Sequence, residues 1–357
     1  MSPSSLLFTS SPHVHSGDSI PRIMEMVIWA LLPATILSIL VFGWPALLVI
    51  AITTLAAMVT EYLLLKIRAR PSTLGDRSAA LTGLLLALTL PPHSPWWICV
   101  AGAVFAVLLG KQVYGGLGFN VFNPALISRV FLLISFPVEM TTWPQPVGLF
   151  GDAALSLGNA LALIFTGHLS PGEVMDAVSS ATPLGQYHVE VISLGKTVQE
   201  AMGGSYSFNY LNATGGLIAG SLGETSALLL ALGGIYLIKK RIITWHIPVS
   251  MLAGCLVPAT IFWMVDGTHY PDPIFHLVTG GLVLGVFYMA TDLVTSPVTP
   301  LGQIIFGAGC GLLTYIIRTW GGYPEGVSFA IVIMNATVPL LDQYTRPVVY
   351  GKAKKKA

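Results

Sequence analysis

Long apolar runs separated by short polar stretches dominate this chain. A helix needs roughly 20 apolar residues to cross the hydrocarbon core of a bilayer, and fewer where it is broken. Ten segments meet that requirement, and several of them are short or interrupted by glycine and proline. The pattern predicts an all-α polytopic membrane protein with ten transmembrane helices. The predicted spans cover residues 23–42, 45–65, 78–91, 96–110, 123–137, 215–238, 243–265, 274–291, 301–318 and 327–343.

Three of these spans carry sequence breaks at membrane depth. The third span ends at Pro91-Pro92, the fifth begins with FNPALISRVF, and the sixth begins with GGLIAGSLGETS. Non-helical backbone survives inside a bilayer only where protein buries it or where it lines a cavity. The breaks therefore predict internal ligand sites rather than lipid-facing surface.

The spans fall into two sets of five on either side of a long polar segment. LTGLLLALTL at 81–90 is similar to VTGGLVLGVF at 278–287, and KQVYGG at 111–116 is similar to IRTWGG at 317–322. Five spans in each half would give the halves opposite topology, as in inverted-repeat transporter cores. The abundance of glycine and leucine could also produce such similarity by chance. The predicted domains are an N-terminal segment 1–22, a first five-helix repeat 23–137, a loop 138–214, a second five-helix repeat 215–343 and a basic tail 344–357.

Composition supports a membrane location. Of the 357 residues, 54% are hydrophobic and only 9% are charged, whereas a soluble domain has about 25% charged residues. Most of the surface is therefore expected to face lipid. Cys99, Cys255 and Cys310 lie in or beside apolar runs, with no C-x-x-C pair and no Cys/His cluster. We expect these cysteines to pack between helices, without forming a disulfide or a metal site.

The distribution of lysine and arginine predicts the orientation. With the N-terminus in the cytoplasm, 14 of the 17 basic residues fall in cytoplasmic segments. External segments then hold only Lys196 and Arg318, and Arg129 lies within a span. Cytoplasmic loops carry the excess of basic residues in membrane proteins. Both termini are therefore predicted to be cytoplasmic, and the acidic loop 138–214 is predicted to be external.

One stretch of that loop, DAVSSATPLG at 176–185, has unusual chemistry. Pro183 favours an extended conformation for Thr182. A threonine hydroxyl held out between small neighbours is accessible to a modifying enzyme, and Asp176 could position that enzyme or its metal. Alternatively, Asp176 and Ser179 cap a short helix or turn.

The same stretch resembles the flavin-attachment motif, D-x-x-[ST]-[GS]-A-T, of the NqrB/RnfD family. This family supplies membrane subunits to Rnf complexes and to sodium-translocating NADH:quinone reductases. The matching positions are Asp176, Ser179, Ser180, Ala181 and Thr182, with Ser180 where the family usually has glycine. The resemblance implies that a flavin transferase, using FAD and magnesium, joins FMN to Thr182 through a phosphoester.

The resemblance extends along nearly the whole chain. SPHVHSGDSIPRIMEMV near the start, GGLGFNVFNPALISRVF at 115–131 and MATDLVTSPVTPLG at 289–302 are similar to further family signatures. The reductase subunit would have a longer N-terminal extension, so the short start favours the Rnf branch. This resemblance implies a subunit of the bacterial inner membrane, in a complex that couples electron flow between ferredoxin and NAD to Na⁺ or H⁺ movement.

The chain also needs redox partners. It has no Fe–S cysteine pattern and no G-x-G-x-x-G placed after a strand, so it is not expected to oxidise NADH itself. The resemblance implies an external FMN-bearing G subunit, an Fe–S B subunit, an NADH-binding C subunit and membrane-embedded A and E subunits. No nucleic-acid partner is expected. The alternatives are a secondary transporter with an inverted-repeat core and an assembly subunit without a cofactor.

Further candidate residues lie within or beside the spans. Asn120 and Asn123 in GFNVFNP could bind a second flavin, riboflavin by family analogy, or could simply cap a helix. Asp292 in ATDLVTSP could serve an ion path or cap the next segment. Glu224 is a second ion-path candidate, but a Glu224–Arg129 pair that only locks helices together ranks ahead of a transport role.

Overall fold

A computed structural model describes residues 19–151, 154–167, 181–203 and 208–347. Within these ranges every regular element is helical and no strand is present. The first part of the chain forms α1 Ile20–Phe42, α2 Trp44–Ile67, α3 Ser78–Leu88, α4 Trp96–Val107 and α5 Pro124–Ser135. The middle part forms α6 Pro137–Thr141, α7 Leu157–Thr166, α8 Pro183–Tyr187, α9 Val198–Met202 and α10 Tyr210–Gly215. The last part forms α11 Ala227–Lys239, α12 His246–Val265, α13 Pro273–Val278, α14 Leu282–Leu284, α15 Pro300–Trp320 and α16 Val327–Tyr344.

Several helices change pitch or begin with tighter turns. π-helical turns cover Leu108–Gln112, His188–Ser193 and Gly285–Met289, and 3₁₀ turns cover Leu74–Asp76 and Leu222–Glu224. The first and third π turns directly continue α4 and α14, so each of these helices extends beyond its α-helical residues. Such π turns occur often at functional sites.

In the described part of the chain, five helices are long and apolar enough to span a bilayer. They are α1, α2, α12, α15 and α16, and shorter apolar helices include α3, α4, α5, α7 and α11. The prediction of a helical, multi-pass membrane protein is therefore confirmed. The count of ten spans and the inverted repeat stay predictions.

Two predicted spans are not continuous helices. The sixth was expected from residue 215 with a break near its start, and its helix begins at Ala227 after an irregular stretch. The eighth, predicted over 274–291, is interrupted between α13 and α14. Gly280 has φ +66° at this interruption, a left-handed conformation that favours glycine. An apolar pattern does not distinguish such a break from a continuous helix.

The irregular segments meet inside the core. The backbone N–H of Leu222 donates to the carbonyl oxygen of Leu90, 3.2 Å away. The Ser38 hydroxyl on α1 donates to the carbonyl of Leu222 at 3.0 Å. A Cβ on Gly223 would lie 2.8 Å from the Leu88 carbonyl oxygen, so only glycine fits there. The end of α3 and the stretch before α11 thus satisfy each other's backbone groups away from lipid.

In its described residues, the segment predicted as a long loop, 138–214, overlaps five short helices, α6 to α10. One of these, α7, is apolar and packs against α2, and its Phe165 stacks on Trp96 with ring centroids 6.1 Å apart. The described part of the segment therefore contains helical structure of its own, and its assignment as an external loop stays a prediction. The three cysteines are buried, as predicted for packing residues.

Candidate functional site

Thr182 lies at the start of α8, and its surroundings differ from those expected. Its backbone is extended, with φ −61° and ψ 152°, as Pro183 predicts. The residue is only 5% exposed, however, and its Oγ1 accepts a hydrogen bond from the Gly185 backbone N–H at 3.0 Å. The expectation of an exposed hydroxyl is therefore wrong for this conformation, because the hydroxyl is the N-cap of α8. The motif residues Asp176, Ser179 and Ser180 lie outside the described residues, and Ala181 is exposed.

The Thr182 helix is anchored to the second half of the chain. A Cβ on Gly280 would lie 3.5 Å from the Leu184 side chain, so α8 reaches the break between α13 and α14. His188 Nε2 lies 2.6 Å from the Gly321 carbonyl oxygen beyond α15. The Tyr187 hydroxyl donates to the His269 carbonyl oxygen at 3.4 Å. Burial raises the pKa of Tyr187, so this phenol stays protonated and neutral.

A cavity of about 370 Å³ opens next to Thr182. We name it the Thr182 cavity, because Ala181 and Pro183, on either side of Thr182, both line it. Its apolar lining includes the buried Tyr187 and the half-buried Phe208. Amide side chains supply the polar part of its lining: Gln145, Gln186, Asn209 and Asn212. Ligand pockets of roughly 300–1,000 Å³ with apolar walls and a few polar groups are typical of cofactor sites.

A second, smaller cavity of about 80 Å³ joins the other predicted residues. We name it the Asn123 cavity, and it is lined by Asn120, Asn123, Thr291 and Asp292 together with Phe287 and Tyr288 from the third π turn. The structure thus brings the GFNVFNP and ATDLVTSP stretches together, although they are separated by about half the chain.

Asn123 acts as a helix cap, one of the two alternatives expected for it. Its Oδ1 accepts hydrogen bonds from the backbone N–H groups of Ala125 at 3.0 Å and Leu126 at 3.3 Å. Its amide nitrogen also donates to the Met289 carbonyl oxygen at 3.2 Å, which ties α5 to the third π turn. Asn120 does not cap a helix, and its Oδ1 is buried without a hydrogen-bond partner. Such an orphaned acceptor requires an explanation.

Asp292 is half-buried at the wall of the Asn123 cavity. Its carboxylate accepts a hydrogen bond from the Thr295 hydroxyl at 3.0 Å and from the Val294 backbone N–H at 3.5 Å. It therefore caps the following turn, and it also faces the cavity. Both alternatives foreseen for this residue remain compatible with that position.

Lys111 and Glu61 form a buried ion pair that the sequence did not predict. Lys111 was counted among the cytoplasmic basic residues, yet its side chain is 2% exposed and borders the Asn123 cavity. Its Nζ donates to both Glu61 oxygens, at 2.8 and 2.9 Å, and to the Ser78 hydroxyl at 2.6 Å. The available signal was Glu61, the single acid inside the apolar run 45–65.

Arg129 was expected to pair with Glu224. Instead, it forms an ion pair with Glu325, just before α16. Glu224 accepts a hydrogen bond from the Ser221 hydroxyl at 2.9 Å and stays within electrostatic reach of Arg129 and Arg318. It folds back on its own loop, where a Cβ on Gly220 would come within 2.6 Å of its carboxylate. Sequence alone could not select between two distant carboxylates, Glu224 and Glu325, as the partner of Arg129.

Arg318 was assigned to an external segment but is fully buried in the last turn of α15. Its guanidinium donates to the carbonyl oxygens of His276 at 2.6 Å and Thr279 at 3.0 Å. These are carbonyls at the end of α13, so Arg318 stabilises the helix break beneath α8. Among the described residues, no group of three or more His, Cys, Asp or Glu side chains is arranged to hold a metal.

Comparison with known proteins gives consistent matches over nearly the whole chain. Residues 7–351 match the model of the NQR2, RnfD, RnfE family. A protein of Halorhodospira halophila, named as the D subunit of an ion-translocating oxidoreductase complex, is 44% identical over 347 residues, covering 97% of this chain and 95% of that protein. Proteins with the same name from Stutzerimonas stutzeri and Citrobacter koseri are 45% and 43% identical, covering 94% and 96% of this chain and 93% and 98% of their own lengths.

Proposed function

The chain belongs to the NQR2, RnfD, RnfE family, and from this premise we propose that it is the D subunit of an ion-translocating oxidoreductase complex that carries electrons on an FMN attached to Thr182. Family membership over residues 7–351, together with a threonine in the D-x-x-S-S-A-T pattern, carries the proposal. The complex would couple electron transfer between ferredoxin and NAD to the movement of Na⁺ or H⁺ across the bacterial inner membrane.

The attachment reaction is a phosphoryl transfer from FAD. The Thr182 hydroxyl oxygen attacks the phosphorus on the FMN side of the pyrophosphate, the bond to the AMP oxygen breaks, and AMP leaves. The hydroxyl proton passes to a base of the flavin transferase or to solvent. Because this hydroxyl caps α8 and is buried, the transferase must act on a locally opened first turn. A Ser or Thr cap contributes roughly 1 kcal/mol, so the opening is accessible.

The residues present fit a flavin at this position. The Thr182 cavity offers an aromatic and apolar lining with amide groups, next to the proposed attachment point. When bound, FMN supplies one- and two-electron redox chemistry, while the protein supplies position and electrostatics. The neutral Tyr187 and the amides around the cavity would orient the ring and exclude water.

The Asn123 cavity supports a proposal for the second flavin, riboflavin. The unpartnered Oδ1 of Asn120 is an acceptor for the kind of N–H that a flavin ring presents. The cavity is smaller than the Thr182 cavity, so binding there would require its walls to part. Asp292 on the same wall, and the buried Glu224, are the residues that we propose for an ion path.

The proposed assembly rests on the family resemblance, together with the chain's lack of an Fe–S or dinucleotide-binding pattern. The N- and C-termini would be cytoplasmic and the Thr182 segment periplasmic. An external FMN-bearing G subunit would exchange electrons with the Thr182 flavin. The Fe–S B subunit, the NADH-binding C subunit and the membrane-embedded A and E subunits would complete the complex, and a flavin transferase would be needed for maturation.

The attachment can be tested on the chain produced with its flavin transferase. The denatured protein is separated on a gel, viewed under ultraviolet light, and its Thr182 peptide is weighed by mass spectrometry. We expect fluorescence and an FMN-sized mass increase on wild type, and neither on Thr182→Val. Thr197→Val is the matched control, because Thr197 also caps a short helix, α9, in the same segment. It should keep its flavin.

The two alternatives, a secondary transporter and an assembly subunit without a cofactor, both predict an unmodified Thr182 in the same assay. A bare Thr182 peptide from natively produced wild type would overturn the flavin proposal and favour a secondary transporter or an assembly subunit. Equal fluorescence in Thr182→Val and wild type would instead place the covalent flavin on another residue.

A further inference from the structure

We propose that helix α7, Leu157–Thr166, lies with its outward face in the lipid at one edge of the bilayer. The segment between α5 and α11 is then anchored to the membrane by lipid as well as by contacts with the spanning helices. The proposal needs only the membrane location of the chain, and it does not depend on a flavin at Thr182.

The chain just before α7 is tied to the end of a spanning helix. The backbone N–H groups of Gly148 and Leu149 donate to the carbonyl oxygens of Val41 and Leu40, each at 2.8 Å. Both carbonyls belong to the last turn of α1, where they have no partner within the helix. The approach to α7 is therefore held at the edge of the membrane where α1 ends.

The far end of α7 reaches the same edge. Its Phe165 stacks on Trp96, the first residue of α4, and α7 itself packs against α2, which begins at Trp44 directly after α1. Tryptophan is enriched at the boundary between membrane and water. A helix of this length spans about 15 Å, about half of the hydrocarbon core, so it lies along the edge and does not cross.

Both faces of α7 are apolar. Ala160 and Ile164 are buried on the side that meets the protein. Leu157, Leu161 and Phe165 follow one another at a spacing of four residues, so they form one stripe on the helix, and they are between 39% and 52% exposed. A helix that is apolar all round belongs in a protein core or in a membrane. Water is therefore the wrong environment for this stripe.

The polar groups of α7 are satisfied within the helix, as hydrocarbon requires. The Ser156 hydroxyl accepts a hydrogen bond from the Asn159 backbone N–H at 3.3 Å, and the Thr166 hydroxyl donates to the Ala162 carbonyl oxygen at 2.6 Å. The Gly167 N–H closes the C-terminal end on the Leu163 carbonyl oxygen at 3.0 Å. The helix also contains no charged residue.

Two observations favour lipid over a protein partner. The stripe consists of three partly exposed side chains, far less than the roughly 800 Å² that each partner buries in a stable protein interface. It also adjoins exposed apolar surface on spanning helices, since Leu40 beside Leu149 and Leu55 on the neighbouring α2 are both exposed. The lipid that covers those helices can therefore continue over α7.

Collisions of a spin label with oxygen and with a water-soluble nickel complex test the proposal. The full chain with Leu161→Cys is labelled in lipid nanodiscs, and Leu157→Cys provides a second site on the stripe. Labelled wild type supplies the background, because its three cysteines are buried. We expect the ratio of oxygen to nickel-complex collisions at both sites to exceed that of a water-facing site by about tenfold, because hydrocarbon excludes polar solutes.

Leu194→Cys is the matched control, because Leu194 is also an exposed leucine of the same segment but lies beside the exposed Lys196. Leu55→Cys on α2 gives the ratio for a lipid-facing residue of a spanning helix. A ratio at positions 157 and 161 equal to that of Leu194→Cys would place the stripe in water and overturn the proposal.

Photo-crosslinking in cells that produce the whole complex separates lipid from a protein neighbour. A benzophenone amino acid replaces Leu161, the cells are irradiated, and the chain is weighed. Phospholipid adducts at the level found for the same probe at position 55 support the proposal. Adducts with another subunit would overturn it in favour of a protein contact. Covalent flavin is scored in the same samples, so a failure of the flavin proposal is seen separately.

Discussion

Two buried ion pairs in this protein differ in how completely their atoms are satisfied. Glu61 and Lys111, beside the Asn123 cavity, share two hydrogen bonds and also bond Thr73 at 2.7 Å and Ser78 at 2.6 Å. Arg129 and Glu325 contact each other, but Arg129 Nε and Glu325 Oε1 are buried without partners. The charged atoms of the Glu61–Lys111 pair are fully hydrogen-bonded, whereas the Arg129–Glu325 pair leaves one donor and one acceptor without a partner.

The difference indicates different roles. A fully bonded buried pair loses stability sharply when one partner is removed, because the other charge is left without compensation. The Arg129–Glu325 pair has atoms without partners, and Glu224 lies within electrostatic reach of Arg129 and Arg318 as an alternative partner. We therefore expect the Glu61–Lys111 pair to hold helices together, and the Arg129–Glu325 pair to tolerate rearrangement.

The largest effect should come from Lys111→Met. It leaves the Glu61 carboxylate buried and unpaired, so we expect a loss of about 3–5 kcal/mol, measured as a fall in thermal stability in detergent. Lys66→Met, an exposed lysine on α2, is the control and should change little. The double variant Glu61→Gln/Lys111→Met should recover a good part of the loss. A Lys111→Met protein as stable as Lys66→Met would show that the pair does not hold the fold.

Glu325→Gln should have a smaller effect, about 1–3 kcal/mol, because Arg129 keeps Glu224 nearby and the amide can still accept a hydrogen bond. The same unfolding measurement applies. Glu190→Gln provides the matched control, since its pair with Lys196 is largely exposed, with side chains 26% and 49% accessible. A loss of stability equal to that of Lys111→Met would contradict the proposed difference between the two ion pairs.

Asn123→Ala removes the N-cap of α5, beside the cavity that Lys111 also borders. We expect a loss of about 0.5–2 kcal/mol in thermal unfolding. The Met289 carbonyl also loses its donor, so any flavin bound non-covalently in the Asn123 cavity should be released more readily. Asn123→Ser restores a capping oxygen and should regain most of the stability without regaining the contact to Met289. Full retention of stability in the alanine variant would contradict the capping role.

The smallest effect concerns an exposed network near the Thr182 segment. Hydrogen bonds from the side chain and backbone of Thr268, and from His269, lower the pKa of Asp266 from 3.8 to about 2. A carboxyl group with a lowered pKa in the folded state stabilises the protein above about pH 4, and this contribution is lost as the pH falls toward 2. The stability gap between wild type and Asp266→Asn should therefore narrow over that range in an acid titration. A gap independent of pH would contradict this assignment.

Two local features of the candidate site were readable from the sequence. Pro183 predicted the extended backbone of Thr182, and Asn123 before a proline predicted a helix start. These are effects of neighbouring residues on one another, so they appear in any single sequence. The exposure of Thr182 was predicted wrongly, because burial depends on what packs against α8. One residue that packs against α8 is Phe275, which contacts Tyr187 and lies about 90 positions away in the sequence.

The sequence by itself determined that the chain is helical, that it belongs in a membrane, and which family it joins. Apolar run length and motif spacing are local quantities, and they suffice for those conclusions. Only the tertiary structure decided that Lys111 pairs with Glu61, that Arg129 pairs with Glu325, and that two cavities form where they do. Each of these depends on which distant helices come together, because tertiary packing determines which opposite charge lies close enough to pair with a buried one.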